Sequence, residues 1–304
     1  MNYRIYLSPP SQNGLEKAAI DAALDSNWLA PVGPSLDQFE ASLSRLHSDK
    51  KVLCLNSGTA AIHLALQLAN VCKGDEVIVG THTHNATVNP IIYQGASPVF
   101  VDSEPDTWNI SPRFLEAAVT NRLEQGIKPK AIIIVHLYGM AAKLDEILAI
   151  AEKYAIPLIE DAAEALGATF KGQALGTFGQ YGILSFNGNK IISTSGGGAL
   201  LLASKTERQR ALFLATQARD NAPHFQHSEI GYNYRLSNIL AALGNAQLQN
   251  LEERVNKRRA IYEAYGQAFE KLNAVLGKSI VKSTHEEIDV KSNRWLSTFL
   301  VQPH

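Results

Sequence analysis

Across 304 residues, 28 Lys+Arg oppose 29 Asp+Glu for a formal net charge of −1, and 45% of residues are hydrophobic. This describes a globular chain with room for about two domains and no basic field for nucleic acid or an acidic membrane surface. No nucleic-acid-binding motif is visible, and no uncharged apolar stretch is long enough to span a bilayer.

Taken in order, YLSPP reads as extended, LEKAAIDAALD as a helix, and SNWLAPVGP as a broken loop before a helix from Leu36 to about Leu46. MNYRIYLSPP lacks the charged-then-apolar layout of a signal peptide. Val52–Leu55 reads as a strand, and Asn56-Ser57-Gly58-Thr59 leads into the apolar helix AAIHLALQLA, which Ser57 or Thr59 can cap. Cys54 and Cys72 lie in apolar surroundings and read as core residues of a reducing compartment, so a cytoplasmic location is expected. Strands at Glu76–Val79, Pro98–Asp102, Lys130–Val135 and Pro157–Asp161 alternate with helices at Pro112–Leu123 and Leu144–Tyr154. That alternation predicts a mostly parallel sheet between helices. After Leu202 come a helix at Lys205–Gln217, a polar aromatic loop, one long helix from about Ser237 to Leu272, and RWLSTFLV as a strand.

The stretch Gly182–Leu202 holds one lysine, Lys190, and no other charge occurs between Lys171 and Lys205. It is a candidate for the desolvated amine that forms Schiff bases, or else a lysine on a surface turn between two strands. Four other clusters are each placed at the C-terminal end of a predicted strand, where open α/β sheets bind ligands. Asn56–Ala60 is an anion cradle at a helix start or a simple capped turn, and it matches neither a nucleoside-triphosphate nor a dinucleotide glycine loop, which sets aside an NAD-dependent oxidoreductase. In Glu160-Asp161-Ala162-Ala163-Glu164 an acid can receive a cationic ring nitrogen or a sugar hydroxyl, or cap a helix. Thr81-His82-Thr83-His84 offers too few ligands for zinc, so no metal is expected, and a planar side chain there can pack on a planar ligand. Gly231-Tyr232-Asn233-Tyr234-Arg235 can bind phosphate or line a subunit interface, or be merely an exposed tyrosine-rich loop. Pyridoxal phosphate would use a lysine, an acid, an anion cradle and a flat neighbour together.

The runs NSGTAAIHLAL, EDAAEALGATFKG, GTFGQYGILSFNGNKIISTSGGG and HSEIGYNYRLSNILAALG resemble the DegT/DnrJ/StrS family, in the family's order and over nearly the whole chain. The resemblance implies the fold type I (aspartate-aminotransferase-like) architecture. It comprises a mostly parallel seven-stranded sheet in a cofactor-binding large domain (1–250, with an N-terminal arm 1–35), and a small C-terminal α/β domain begun at 251–304 and incomplete. It implies a pyridoxal-phosphate-dependent nucleotide-sugar aminotransferase, used in bacterial surface-glycan or glycoprotein sugar synthesis. YLSPP, SNWLAPVGP, SFNGNK and ATQARDNAPHFQHSEIGYNYR are similar in particular to the subgroup that aminates UDP-4-keto-6-deoxy-N-acetylglucosamine with L-glutamate, releasing 2-oxoglutarate. On that resemblance Lys190 forms the Schiff base, Asp161 pairs with the ring nitrogen, and Glu164 lies near the ring hydroxyl. Thr59, Ala60 and Ser185 hold the phosphate, His84 stacks on the ring in place of the usual aromatic, and Asn233 reaches the phosphate of the neighbouring subunit of a homodimer. A cofactor-binding but non-catalytic homologue is the alternative.

Overall fold

The run Ala131–Val135 is buried at every position, as its lack of polar alternation requires of a strand covered on both faces. The computed structural model describes residues 6–284 and 286–302, and Met1–Ile5 of the expected N-terminal arm lie outside them. The strands are β1 Lys51–Leu55, β2 Glu76–Gly80, β3 Ser97–Val101, β4 Ala131–Val135, β5 Leu158–Asp161, β6 Thr169–Phe170, β7 Gln173–Ala174, β8 Tyr181–Ser185, β9 Gly198–Leu202, β10 Val281–Ser283, β11 Val290–Lys291 and β12 Phe299–Val301. The helices are α1 Glu16–Asp25, α2 Pro34–Leu46, α3 Gly58–Leu68, α4 Asn85–Tyr93, α5 Pro112–Glu124, α6 Leu144–Lys153, α7 Lys205–Ala215, α8 Asn238–Leu248 and α9 Leu251–Leu276. Among the described residues, no helix is long and apolar enough to cross a membrane.

The central sheet has seven strands in the order β1-β9-β8-β5-β4-β2-β3, and every pairing is parallel except the two made by β9. Six strands therefore end at one edge, and β9, running against them, begins there. Alternate residues feed separate cores. Val52, Cys54, Ile132, Ile134 and Leu184 pack with α2 and α6 on one face. Leu53, Leu55, Ala131, Ile133 and Ile183 pack with α3 on the other.

Four expectations need correction. The long C-terminal helix is two, α8 and α9. The Asn13 amide donates to the Ala246 carbonyl (2.7 Å) and to Asn250 Oδ1 (2.9 Å), taking the acceptor that helix continuation would have given to Asn250. RWLSTFLV is a strand only at Phe299–Val301, because Arg294 adopts φ +47° and turns the chain. The Gly231–Arg235 cluster does not end a strand. It follows α7 and reaches the edge through isolated bridges of Arg235 to Leu55 and Asn233 to Thr216. Cys72 is exposed with Sγ against Asp75 (3.3 Å), whereas Cys54 is buried and burial pushes its thiol well up.

The start of β9 touches the start of α3. A Cβ on Gly198 would lie 2.4 Å from the Gly58 nitrogen and 2.5 Å from the Ser57 carbonyl carbon, so only glycine lets the two backbones meet. Gly198→Ala should therefore cost about 1–3 kcal/mol by overpacking. The check is a lower urea midpoint at unchanged m-value, and an unchanged midpoint would refute the contact's importance.

Candidate active site

Loops at the shared strand edge enclose a cavity of about 480 Å³ lined by, among others, Ser57, Thr59, His84, Asp161, Glu164, Ser185, Lys190 and Trp295. That volume falls within the roughly 300–1,000 Å³ of small-molecule sites. One wall is the N-terminus of α3. The Ser57 hydroxyl accepts from the Ala60 N–H (3.0 Å) and the Ser57 carbonyl from the Ala61 N–H (3.2 Å). The Gly58 and Thr59 amides are left without a backbone acceptor. Ser185, the last residue of β8, abuts Gly58, 3.3 Å from the position a Cβ would take. Gly58, Thr59 and Ser185 thus line the cavity at the positive end of a helix dipole, with two amides lacking a backbone acceptor and two hydroxyls among them, which suits a phosphate. Ala60 is buried behind this wall with its amide committed to Ser57.

The three acids, ambiguous in the sequence, have three different surroundings. Glu160 points away from the cavity and is fully buried. It accepts from His136 Nε2 (2.9 Å) and from the amides of Gly176 (2.9 Å) and Gly179. Ala142 N–H donates to His136 Nδ1 (3.2 Å), so the His136 proton sits on Nε2. Burial alone would raise the Glu160 carboxyl, but His136 and the two amides outweigh it and hold it below the usual range. Asp161 lines the cavity from the end of β5, with Oδ2 accepting from the Thr87 hydroxyl (2.7 Å) and Oδ1 from the Ala163 N–H (3.1 Å). Two donors aim this carboxylate, and a cation presented from the cavity would complete it.

Glu164 meets the lysine. Lys190 lies on the turn between β8 and β9, as the surface alternative supposed, yet its side chain is only 14% exposed. Its Nζ sits 3.4 Å from Glu164 Oε1, and the other Glu164 oxygen accepts from the Tyr138 N–H (2.6 Å). Tyr138 reaches it from a left-handed conformation (φ +56°), a strained geometry common where a backbone group must be aimed. Burial pushes the Glu164 carboxyl up, against the pull of Lys190 and the Tyr138 amide. A second contact of the ammonium has no trace in the sequence: the Trp295 ring centroid lies 4.1 Å from Nζ.

The remaining expected residues divide. His84 lines the cavity and caps α4, its Nδ1 accepting from the Ala86 N–H (3.1 Å), which fixes the ring while leaving its faces available. His82 turns away to an edge contact with Tyr138, so the two histidines do not converge. Asn233 is exposed and does not line the cavity. Its carbonyl accepts from Asn56 Nδ2 (3.1 Å) and its Oδ1 from Gln217 Nε2 (3.3 Å). Arg235 is committed to Glu40 Oε1 (2.6 Å) and the Cys54 carbonyl (2.9 Å), so its guanidinium fastens the loop to β1. Sequence reasoning missed Thr87 and Trp295. Thr87 carries a weak signal as a hydroxyl in the first turn of the helix after a strand, whereas Trp295 lies far along the chain from Lys190 and carries none.

The DegT/DnrJ/EryC1/StrS aminotransferase family model matches residues 10–303. A protein of Bacillus subtilis (strain 168) named as a pyridoxal phosphate-dependent aminotransferase, EpsN, is 52% identical over 98% of this chain and 75% of its own length. The GDP-perosamine synthase of Escherichia coli O157:H7 is 38% identical over 96% of this chain and 77% of its own. Among solved structures, the sugar aminotransferase Spr1654 from Streptococcus pneumoniae in its PLP form superposes with a TM-score of 0.89 at 29% identity, covering 99% of this chain and 79% of that one.

The raised Glu164 carboxyl gives a stability test with a defined sign. Its folded-state proton affinity exceeds the unfolded one, so it favours folding while protonated. That contribution fades as pH climbs from the unfolded value near 4.5 through the higher folded value. In cofactor-free protein, the urea midpoint of Glu164→Gln relative to wild type should move in favour of the variant as pH rises above 4.5. A pH-independent difference would contradict this placement of the charge.

Proposed function

The chain belongs to the DegT/DnrJ/EryC1/StrS aminotransferase family, and on that premise we propose that its edge cavity aminates a UDP-linked 4-ketosugar with L-glutamate as donor. It is a pyridoxal-phosphate-dependent sugar aminotransferase, with a nucleotide sugar and an amino donor as substrates. The observation that carries the reading is the placement of Lys190. Among the described residues it is the one lysine lining a cavity that also holds a doubly hydrogen-bonded aspartate and a helix N-terminus with amides lacking a backbone acceptor.

The residues present fit the cofactor. Lys190 would bond its aldehyde, Asp161 would face the ring nitrogen, and His84 would cover the ring. The Gly58 and Thr59 amides, with the Thr59 and Ser185 hydroxyls, would take the phosphate. Bound pyridoxal phosphate supplies an electron-withdrawing ring that stabilises negative charge at the carbon losing its proton. Asp161, held by Thr87 and Ala163, would keep the ring nitrogen protonated. Lys190 Nζ would carry the proton between the substrate carbon and the cofactor carbon, with Glu164 holding the released amine near its work. In the first half-reaction glutamate leaves as 2-oxoglutarate; in the second the ketosugar receives the amine.

The preferred acceptor is UDP-4-keto-6-deoxy-N-acetylglucosamine, on the motif resemblance to that subgroup, and the proposed role is in surface-glycan or glycoprotein sugar synthesis. The relatives named GDP-perosamine synthase make a GDP-linked ketosugar the competing acceptor. We also propose a homodimer in which Asn233 reaches the phosphate end of a second copy's cavity. Asn233 is exposed, and Phe225 (79%) and Ile230 (83%) of the same loop are bare apolar side chains.

With cofactor, the protein should show a visible absorbance band that L-glutamate bleaches, and subsequent UDP-ketosugar should restore it with formation of the 4-amino sugar. Lys190→Ala should lose the band and turnover by several orders of magnitude. Full turnover in that variant would refute the assignment of Lys190. Bleaching followed by amine transfer to the GDP-linked sugar alone would refute the acceptor. An unbleached band with no amine transfer would make the protein a non-catalytic cofactor binder.

A further inference from the structure

The chain reaches Trp295 only after α9 has carried it away from the sheet, yet this indole forms part of the wall around Lys190. Its Nε1–H donates to the Asn189 carbonyl (2.8 Å), so the ring is fixed to the residue preceding the lysine. The adjoining residues grip the opposite loop: Asn293 Nδ2 donates to the carbonyls of Glu164 and Leu166, both at 2.9 Å. Asn293 Oδ1 accepts from the Trp295 backbone N–H (2.9 Å), which fixes the main chain of Trp295 to the Asn293 side chain. Behind them, Arg259 donates to the Ser292 carbonyl (2.7 Å) and Glu286 accepts from the Ser292 N–H (2.8 Å), anchoring the segment to α9. A strap of Ser292–Trp295 thus holds the lysine loop and the Glu164 loop together.

We propose that Trp295 is a positioning residue that seats the free Lys190 ammonium, its ring face and the Glu164 carboxylate forming two sides of one cradle. This rests on the reading of Lys190 given above. An amine that alternates between bonded and free must be retained when free without being held so firmly that it cannot return. The ring quadrupole attracts a cation and accepts no proton. Glu164 alone, already shared with the Tyr138 amide, meets the ammonium at a long 3.4 Å. Among the described residues, the other ionisable groups facing this space are Asp161 from the end of β5 and His84 from the start of α4. Trp295→Leu and Trp295→Phe leave them all in place.

The test is the pH profile of Lys190 acylation by a small neutral reagent in the full-length protein freed of cofactor. Labelling is read by peptide mass spectrometry, with exposed Lys17 as internal control. Removing the ring's attraction for the cation should shift half-maximal labelling of Trp295→Leu down by about 0.5 pH unit or more, roughly threefold more reactive amine at fixed pH. Trp295→Phe, which keeps a weaker ring, should fall between, and its downward shift alone decides the matter if the leucine variant does not fold. An indole that merely shields the amine would change the labelling rate by the same factor at every pH. An unmoved midpoint in both variants, or an upward one, overturns the proposal. Because the assay contains no cofactor, failure here leaves the role of Lys190 standing. Conversely, a fully active Lys190→Ala would remove that role without touching the labelling result.

Discussion

The 3.4 Å approach of Lys190 to Glu164, under the Trp295 ring, depends on three separate parts of the chain meeting at one sheet edge. Parallel pairing of β2, β3, β4, β5 and β8 brings the strand ends together, and β1 joins them across β9. Asp161 ends β5, Ser185 ends β8, and the α3 N-terminus follows β1, so their proximity is a consequence of topology. The lysine itself sits on the β8–β9 connection, whose descent is fixed where Gly198 meets Gly58. Placing a charged amine where its side chain is largely buried is unfavourable without partners. Here a carboxylate and a π face supply them.

The neighbouring acids show how burial assigns roles to like residues. Glu160 is satisfied by His136 and the amides of Gly176 and Gly179, so it fastens the turn that precedes β8 and takes no part in the cavity. Asp161, the next residue, faces outward by strand alternation and is aimed by Thr87 and Ala163. Glu164 emerges beyond the strand, where Tyr138 and Lys190 divide its oxygens. Inverting the register of β5 by one residue would exchange the structural and the cavity-facing acid.

Much of this was legible in the sequence, because strands buried on both faces announce themselves as apolar runs and each run ends in polar, chemistry-bearing residues. The isolation of Lys190 left a site and a surface turn both open, and the resemblance placed it with Asp161, Glu164, Thr59, Ser185 and His84, all of which line one cavity. What escaped was non-local. The division of α8 from α9 is set by Asn13, more than 200 residues away. The Trp295 contact arises because Arg294 turns the chain at a positive φ where periodicity read only a strand. Arg235 looked like an anion ligand until Glu40 claimed it. Asn233 is exposed and lines no part of the cavity in the single chain.

The most direct measurement is borohydride reduction of the protein loaded with pyridoxal phosphate, followed by peptide mapping. The reduced cofactor should be found covalently attached to the peptide containing Lys190, and prior incubation with L-glutamate should abolish the attachment. Attachment to any other lysine, or attachment that glutamate leaves unchanged, would contradict the assignment of this cavity as an aminotransferase site.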